Sequence, residues 1–220
     1  MVETATGLVL RTHPLTETSL IVQWLTRNHG RLATVAKAAR RPQSPFHGKL
    51  DLFYLADFSF SRSRHSALHT LREVTLRDPH KPLRLNLSYL EQVSYCATLI
   101  EQVTETDTPL EGIFELLNGL LNHLPAQPTQ ARTIFSFELK LLHELGLSPD
   151  PSSVSLKSET KTLLKALEQN TWSDLPQLNP SRAQVSELNR FLHGFLIYHL
   201  GKIPPGRQTT LAQKPASRRP

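Results

Sequence analysis

The sequence predicts an α+β protein: a small N-terminal β-barrel, of which a five-stranded oligonucleotide-binding (OB) barrel is one form, followed by an all-α half. Three observations predict it. Over residues 1–80 apolar residues recur at every second position in short runs. Beyond Pro79 and Pro82 they recur every three or four residues. Charge changes at the same place: residues 1–80 carry 11 Lys and Arg against 6 Asp and Glu, whereas residues 81–205 carry 10 against 13. Such an asymmetry assigns different partners to the two halves, with a polyanion facing the basic one.

The strands come first. Gly7-Leu8-Val9-Leu10 is one apolar run. Leu20, Val22 and Trp24 form a second, with Ile21 and Leu25 on its other face. Asn28-His29-Gly30 reads as a turn in which Gly30 is free to take positive φ, and residues 31–37 return as a third strand. Two prolines and a glycine make 38–48 a loop. Leu52, Tyr54, Ala56, Phe58 and Phe60 alternate along a long fourth strand, and residues 67–74 form a fifth.

The helices follow. Leu87, Leu90, Val93, Ala97 and Ile100 mark the first. Thr108, Pro109 and Glu111 predict a capping box at the start of the second. A third covers 131–145, stopped by Gly146 and Pro149, and a weaker one covers 159–169. Ser181 and Gln184 cap the last, whose apolar stripe includes Leu188, Phe191, Leu192, Phe195 and Leu196. The expected domains are 1–80 and 81–203. Residues 204–220, basic and proline-bearing, are expected to be a disordered tail.

The lone cysteine, Cys96, excludes an internal disulfide and a thiolate zinc cluster, and is expected to be a buried helix residue. There is no leader-like N-terminal segment, and no run approaches the roughly 18 apolar residues of a membrane span. A cytoplasmic protein without membrane contact is expected.

The chemistry concentrates between residues 18 and 50, a window without one acidic residue. It contains Arg27, Arg31, Lys37, Arg40, Arg41 and Lys49, together with His29 and His47. Trp24, Phe46, Phe53 and Tyr54 lie in or beside it. Cations for phosphates and rings for bases are what single-stranded nucleic acid requires. The competing reading makes the cations a solvated face and the rings core. On the third helix Arg132 and Lys140 lie about 80° apart around the axis, with Phe135, Phe137 and Leu139 between them. They are either a basic rim for an acidic-hydrophobic peptide or two ordinary surface cations.

Catalysis finds little support. Glu17, Asp51 and Asp57 are scattered over separate strands, His65 and His69 lack a third ligand, and no glycine-rich phosphate loop occurs. No enzyme activity, cofactor or metal is expected. An RNA-binding OB module, or a metal-dependent nuclease, is the alternative.

Gly7-Leu8-Val9-Leu10, Leu25-Thr26, His29-Gly30-Arg31 and Val35-Ala36-Lys37-Ala38-Ala39-Arg40-Arg41 resemble the N-terminal signature of the bacterial RecO family. Phe137-Glu138-Leu139-Lys140-Leu141-Leu142 and Leu145-Gly146-Leu147-Ser148-Pro149-Asp150 resemble its central helix. The resemblance implies an OB domain joined to a helical one. It implies binding of single- and double-stranded DNA, annealing of complementary strands, and help in loading recombinase onto coated strands during repair and recombination at the nucleoid. It also implies two partners, RecR and the acidic C-terminal tail of the single-stranded-DNA-binding protein. Arg31, Lys37, Arg40 and Arg41 inherit the DNA-binding role. Two departures stand out. Ala38 occupies a position where many relatives have glycine, so a different loop conformation is expected. Pro151-Ser152-Ser153-Val154-Ser155 stands where many carry a four-cysteine zinc element.

Overall fold

The structure, a computed structural model, describes residues 1–212. Five strands close a barrel in the order β1-β2-β3-β5-β4: β1 (Val2–Pro14), β2 (Leu20–Thr26), β3 (Gly30–Ala36), β4 (Leu55–Ser61) and β5 (Leu68–Asp78). All neighbours are antiparallel except β3 and β5, which run parallel. This is the OB topology. The strand β1, longer than the apolar run that marks it, closes the barrel by pairing with β2 on one edge and β4 on the other. A register shift between Val9 and Arg11 bends it around the barrel, as a bulge does. Inside, Trp24 stacks on Phe58 at 4.1 Å between ring centroids and donates its indole N–H to Thr34 Oγ1 at 2.8 Å.

Three local expectations are corrected. β4 starts at Leu55, not Leu52. Phe53 takes φ +64°, and its N–H donates to the Val9 carbonyl, so 52–54 is a turn that tucks the Phe53 ring inward. The capping box at Thr108 does not form. That hydroxyl donates to the Thr106 carbonyl, and the helix opens at Glu111, with the Leu110 carbonyl accepting from Ile113 and Phe114. The expected disordered tail is ordered at its start: α6 (Arg207–Leu211) is a short helix whose Arg207 is buried.

Five longer helices precede it: α1 (Leu87–Val103), α2 (Glu111–His123), α3 (Ala131–Glu144), α4 (Ser158–Gln169) and α5 (Arg182–Leu200). The α3 terminus is a Schellman motif. Leu147 N–H reaches the Leu142 carbonyl, Gly146 N–H reaches that of His143, and Gly146 supplies φ +71°. The Ser181–Gln184 capping box of α5 is present. At 150–153 the chain closes on the Asp150 carboxylate, which accepts from the Ser152 N–H and hydroxyl; these bonds hold the carboxyl below its usual range.

The chain divides into two compact units. The first is Met1–Lys81 with Thr104–Asn118; the second is Pro82–Val103 with the chain from Gly119 on. An expected boundary at residue 80 therefore omits 104–118, a segment that returns to the barrel. Asp107 N–H donates to the Arg31 carbonyl at 2.8 Å, and Gly30 approaches Thr108 so closely that an added Cβ would lie 1.9 Å from its carbonyl oxygen. The second unit packs Phe135 and Leu139 of α3 against Leu163, Leu164 and Leu167 of α4 and Leu188 and Leu192 of α5.

Candidate nucleic-acid interface

The connection from β3 to β4 carries most of the predicted cations, and it is a folded ribbon. Successive turns run from Ala36 to Lys49: Ala39 N–H to Ala36, Arg41 to Ala38, Ser44 to Arg41, His47 to Ser44, and Lys49 to Phe46. Two apolar feet, Ala39 and Phe46, are buried in the barrel core. The polar side chains between and beside them are on the surface: Lys37, Arg40, Arg41 and His47 are exposed, and Lys49 is half-buried. Ala38 takes φ +57°, the left-handed conformation that glycine adopts without strain. Alanine here therefore holds the backbone in the conformation that a glycine would favour.

The six predicted cations separate into two kinds. Arg27 pairs with Glu115 and lies over the Phe114 ring at 5.5 Å. Arg31 donates Nε to Thr104 Oγ1 at 2.7 Å and a second nitrogen to the Thr104 carbonyl. Both hold the 104–118 segment on the barrel. By contrast, Lys37, Arg41 and Lys49 hold no side-chain hydrogen bond or ion pair among the described residues. Arg40 is intermediate. Its backbone N–H donates to the Thr18 carbonyl and its Nη1 to that of Thr16 at 3.2 Å, leaving most of an exposed guanidinium available.

The rings do not join them. Trp24, Phe46 and Phe53 are buried, and only Tyr54 is half-exposed, so the reading of these aromatics as core prevails. What the loop presents is charge, suited to phosphates rather than bases.

A second polar cluster escaped the sequence reading. Arg62 binds Glu3 through Nε at 2.9 Å and Asp107 through Nη1 at 2.7 Å, which holds the Glu3 carboxyl below its usual range. Beneath it His69 is buried, stacked on Phe60 at 5.5 Å, with Nδ1 accepting the Ser63 N–H. Burial chiefly, and then Arg62, lowers its pKa, against the opposing pull of Asp107 and Glu3. Glu3 is brought to Arg62 by the pairing of β1 with β4, and Asp107 by the segment that returns to the barrel after α1. The scattered acids remain scattered: Asp57 is taken by Thr6 and Arg77, and Asp51 caps the Leu52 N–H. Among the described residues, no group of three or more His, Cys, Asp or Glu is placed to hold a metal.

In the second unit Arg132 and Lys140 do not form a rim. Arg132 is buried and donates to the Leu178 carbonyl; Lys140 is half-buried, its Nζ 2.6 Å from the Glu168 carbonyl. Burial lowers the pKa of both. They tie neighbouring segments to α3, and Phe135, Phe137 and Leu139 are buried between them. The apolar recess lies elsewhere, a 480 Å³ pocket lined by Phe135, Val185, Leu211 and Arg182 among others. A smaller recess of 240 Å³ includes Arg132 and shares Ala131, Pro180 and Val185 with it.

A closed OB barrel with a tethered cationic loop, joined to a helical unit, defines a two-part architecture in which the barrel carries the surface charge. Comparison narrows this to a family. The family profile described as "Recombination protein O N terminal" matches residues 1–80, and "Recombination protein O C terminal" matches residues 84–153. The chain belongs to the RecO family of DNA repair proteins. It is similar to the "DNA repair protein RecO" of Rhodopirellula baltica, 32% identical over 143 residues, 65% of this chain and 53% of that protein. The Bacillus subtilis protein of the same name is 27% identical over 210 residues, 92% of this chain and 82% of that one. The chain thus spans about half the length of the first relative and about four-fifths of the second.

Proposed function

We propose that the chain is a non-enzymatic mediator of DNA repair and recombination. It binds single- and double-stranded DNA through the loop cations, anneals complementary strands and assists recombinase loading on coated single strands. The observation that carries this is the loop itself. Lys37, Arg41 and Lys49 hold no side-chain partner among the described residues, no acidic residue lies between 18 and 50, and the ribbon is fixed in place by Ala39 and Phe46. Annealing makes and breaks no covalent bond. It requires screening of two polyanions while their bases stay available, which a phosphate-directed surface without exposed rings permits.

Two partners belong to the same reading. The acidic tail of the single-stranded-DNA-binding protein suits the 480 Å³ recess, where Arg182 stands beside apolar walls. RecR rests on family membership alone. No described helix is long and apolar enough to cross a membrane, and the proposed site of action is the nucleoid.

The test is the salt dependence of binding to a labelled single strand. Replacing Lys37 and Arg41 with alanine removes two phosphate contacts and should flatten log K against log salt by about 1.4. Arg31→Ala should instead destabilise the barrel. An unchanged slope in Lys37→Ala/Arg41→Ala would refute the loop assignment.

A further inference from the structure

The rings missing from the barrel surface occur on the last long helix. Phe191, Phe195 and His199 stand one above another along α5, at centroid separations of 5.5 Å and 4.3 Å, and Tyr198 meets His199 edge-on at 4.9 Å. The ladder is anchored at Phe191, which packs against the core of the second unit, and ends in the open at Tyr198, 84% exposed. Monomeric surfaces rarely leave a tyrosine so bare beside other rings.

Along the helix itself the charges from Arg190 onward have one sign. Residues 190–202 contain Arg190, His193, His199 and Lys202 and no acid. Neither Arg190 nor Lys202 is held in an ion pair by a described residue. The nearest acid on the helix, Glu187, accepts from the Lys157 N–H at 2.9 Å and the Thr160 hydroxyl at 2.6 Å at the start of α4, and Arg190 beside it adds to the pull that holds its carboxyl below the usual range.

Between Arg190 and Tyr198, one turn from each, lies Gly194. A Cβ built there would meet nothing within 4 Å. Packing within the chain does not demand glycine, and in a helix interior glycine is less stable than alanine by about 0.5–1 kcal/mol. Its effect is a bare shelf of backbone flanked by a ring and a guanidinium.

The geometry points to a second surface for single-stranded nucleic acid, the C-terminal half of α5, on which bases stack against Tyr198 and across Gly194 while Arg190 and Lys202 take the phosphates. This rests on the reading that the chain handles single strands and adds to it the element the barrel lacks. One surface then holds backbones and another holds bases. An acidic peptide would be attracted to the cations but has no use for a flat, sequence-tolerant ring platform.

The test uses the full chain and an oligonucleotide carrying 5-iodouracil, photocrosslinked and mapped by mass spectrometry. The expected result is a crosslink on the peptide containing Tyr198. Tyr198→Ala should weaken single-strand binding about fivefold or more, the size of one lost base stack. Gly194→Gln should weaken it too while raising the melting temperature. Crosslinks confined to residues 37–54, with both variants binding normally, would overturn the proposal and leave the loop reading intact. Failure of the unaltered chain to bind any strand would overturn both. An oligomer that Tyr198→Ala dissociates without changing strand affinity would make this face a self-association surface and also overturn it.

Discussion

Arg207 offers the sharpest test of how the helical unit is closed. Its Nε and Nη2 reach the two oxygens of Glu138 at 2.7 and 2.8 Å, Nη1 reaches Asn189 at 2.6 Å, and Tyr95 donates its hydroxyl to Glu138 at 2.6 Å. Glu138 is wholly buried and Arg207 nearly so. Arg207→Met keeps most of the side-chain volume but leaves the carboxylate buried with only a tyrosine hydroxyl. Removing one partner of a buried pair destabilises by about 3–5 kcal/mol. With a urea m-value of about 2 kcal/mol/M, the unfolding midpoint of the second unit should fall by about 1.5–2.5 M. The readout is urea denaturation followed by hydrogen exchange in α1 and α3. The double variant Glu138→Leu/Arg207→Met removes both charges and should recover most of the loss, because the penalty lies in the orphaned charge rather than in the absent pair. A midpoint within about 0.5 M of the unaltered protein in Arg207→Met would refute the claim that this ion pair closes the unit.

Other variants probe the barrel, its loop and the second unit. Gly30→Ala forces a side chain into φ +65° and a Cβ to 1.9 Å from the Thr108 oxygen, so calorimetry should show a loss of about 2–5 kcal/mol. Ala38→Gly relieves the left-handed strain at φ +57° and should raise stability by about 1 kcal/mol without loss of DNA affinity. Gly119→Ala would bring a Cβ within 2.5 Å of the Trp172 indole nitrogen; a shift of the tryptophan emission and a lower melting temperature are expected. His69 is kept neutral in the fold, below the ordinary histidine value of 6.5, so the unfolded chain takes up a proton that the folded chain refuses. Its contribution to stability is therefore present above about pH 6.5 and declines as pH falls below it. His69→Asn should flatten that part of the stability-pH curve measured between pH 7 and 5.

Periodicity in the sequence was enough to locate the strands and long helices, because each buries one face and the apolar spacing records it. It failed where a single residue breaks the pattern. Leu52 and Tyr54 continue the alternation of β4, but the positive φ of Phe53 turns the chain, and nothing in residue type announces that. Arg207 sits in a polar, basic stretch and reads as tail; its partners Glu138, Asn189 and Tyr95 lie 18 or more positions away. The site was half legible. Charge without acid marked the loop, but composition does not separate Lys37 and Arg41 from Arg27 and Arg31, whose partners Glu115 and Thr104 come from a segment that returns after α1. Tyr198 was not singled out in the sequence, although it lies off the buried stripe of α5.

The division of the cations has a consequence for how the loop acts. Arg27, Arg62 and Arg77 are each paired with a carboxylate, so their charge is largely neutralised locally and adds little to the field a polyanion meets, while Arg31 keeps its charge but is tied down by Thr104. Lys37, Arg41 and Lys49 are not paired with any described residue, and the turn ribbon fixes their backbones in advance of the proposed ligand. A flexible basic tail must be ordered on binding, at a cost that a tethered loop avoids. Freezing the ribbon in advance also separates two effects that salt would otherwise confuse. High salt should weaken strand binding steeply through the free cations while leaving the buried or partly buried pairs, and with them the melting temperature, little changed. Parallel loss of binding and of fold over the same salt range would mean that the cations assigned to the ligand are in truth structural.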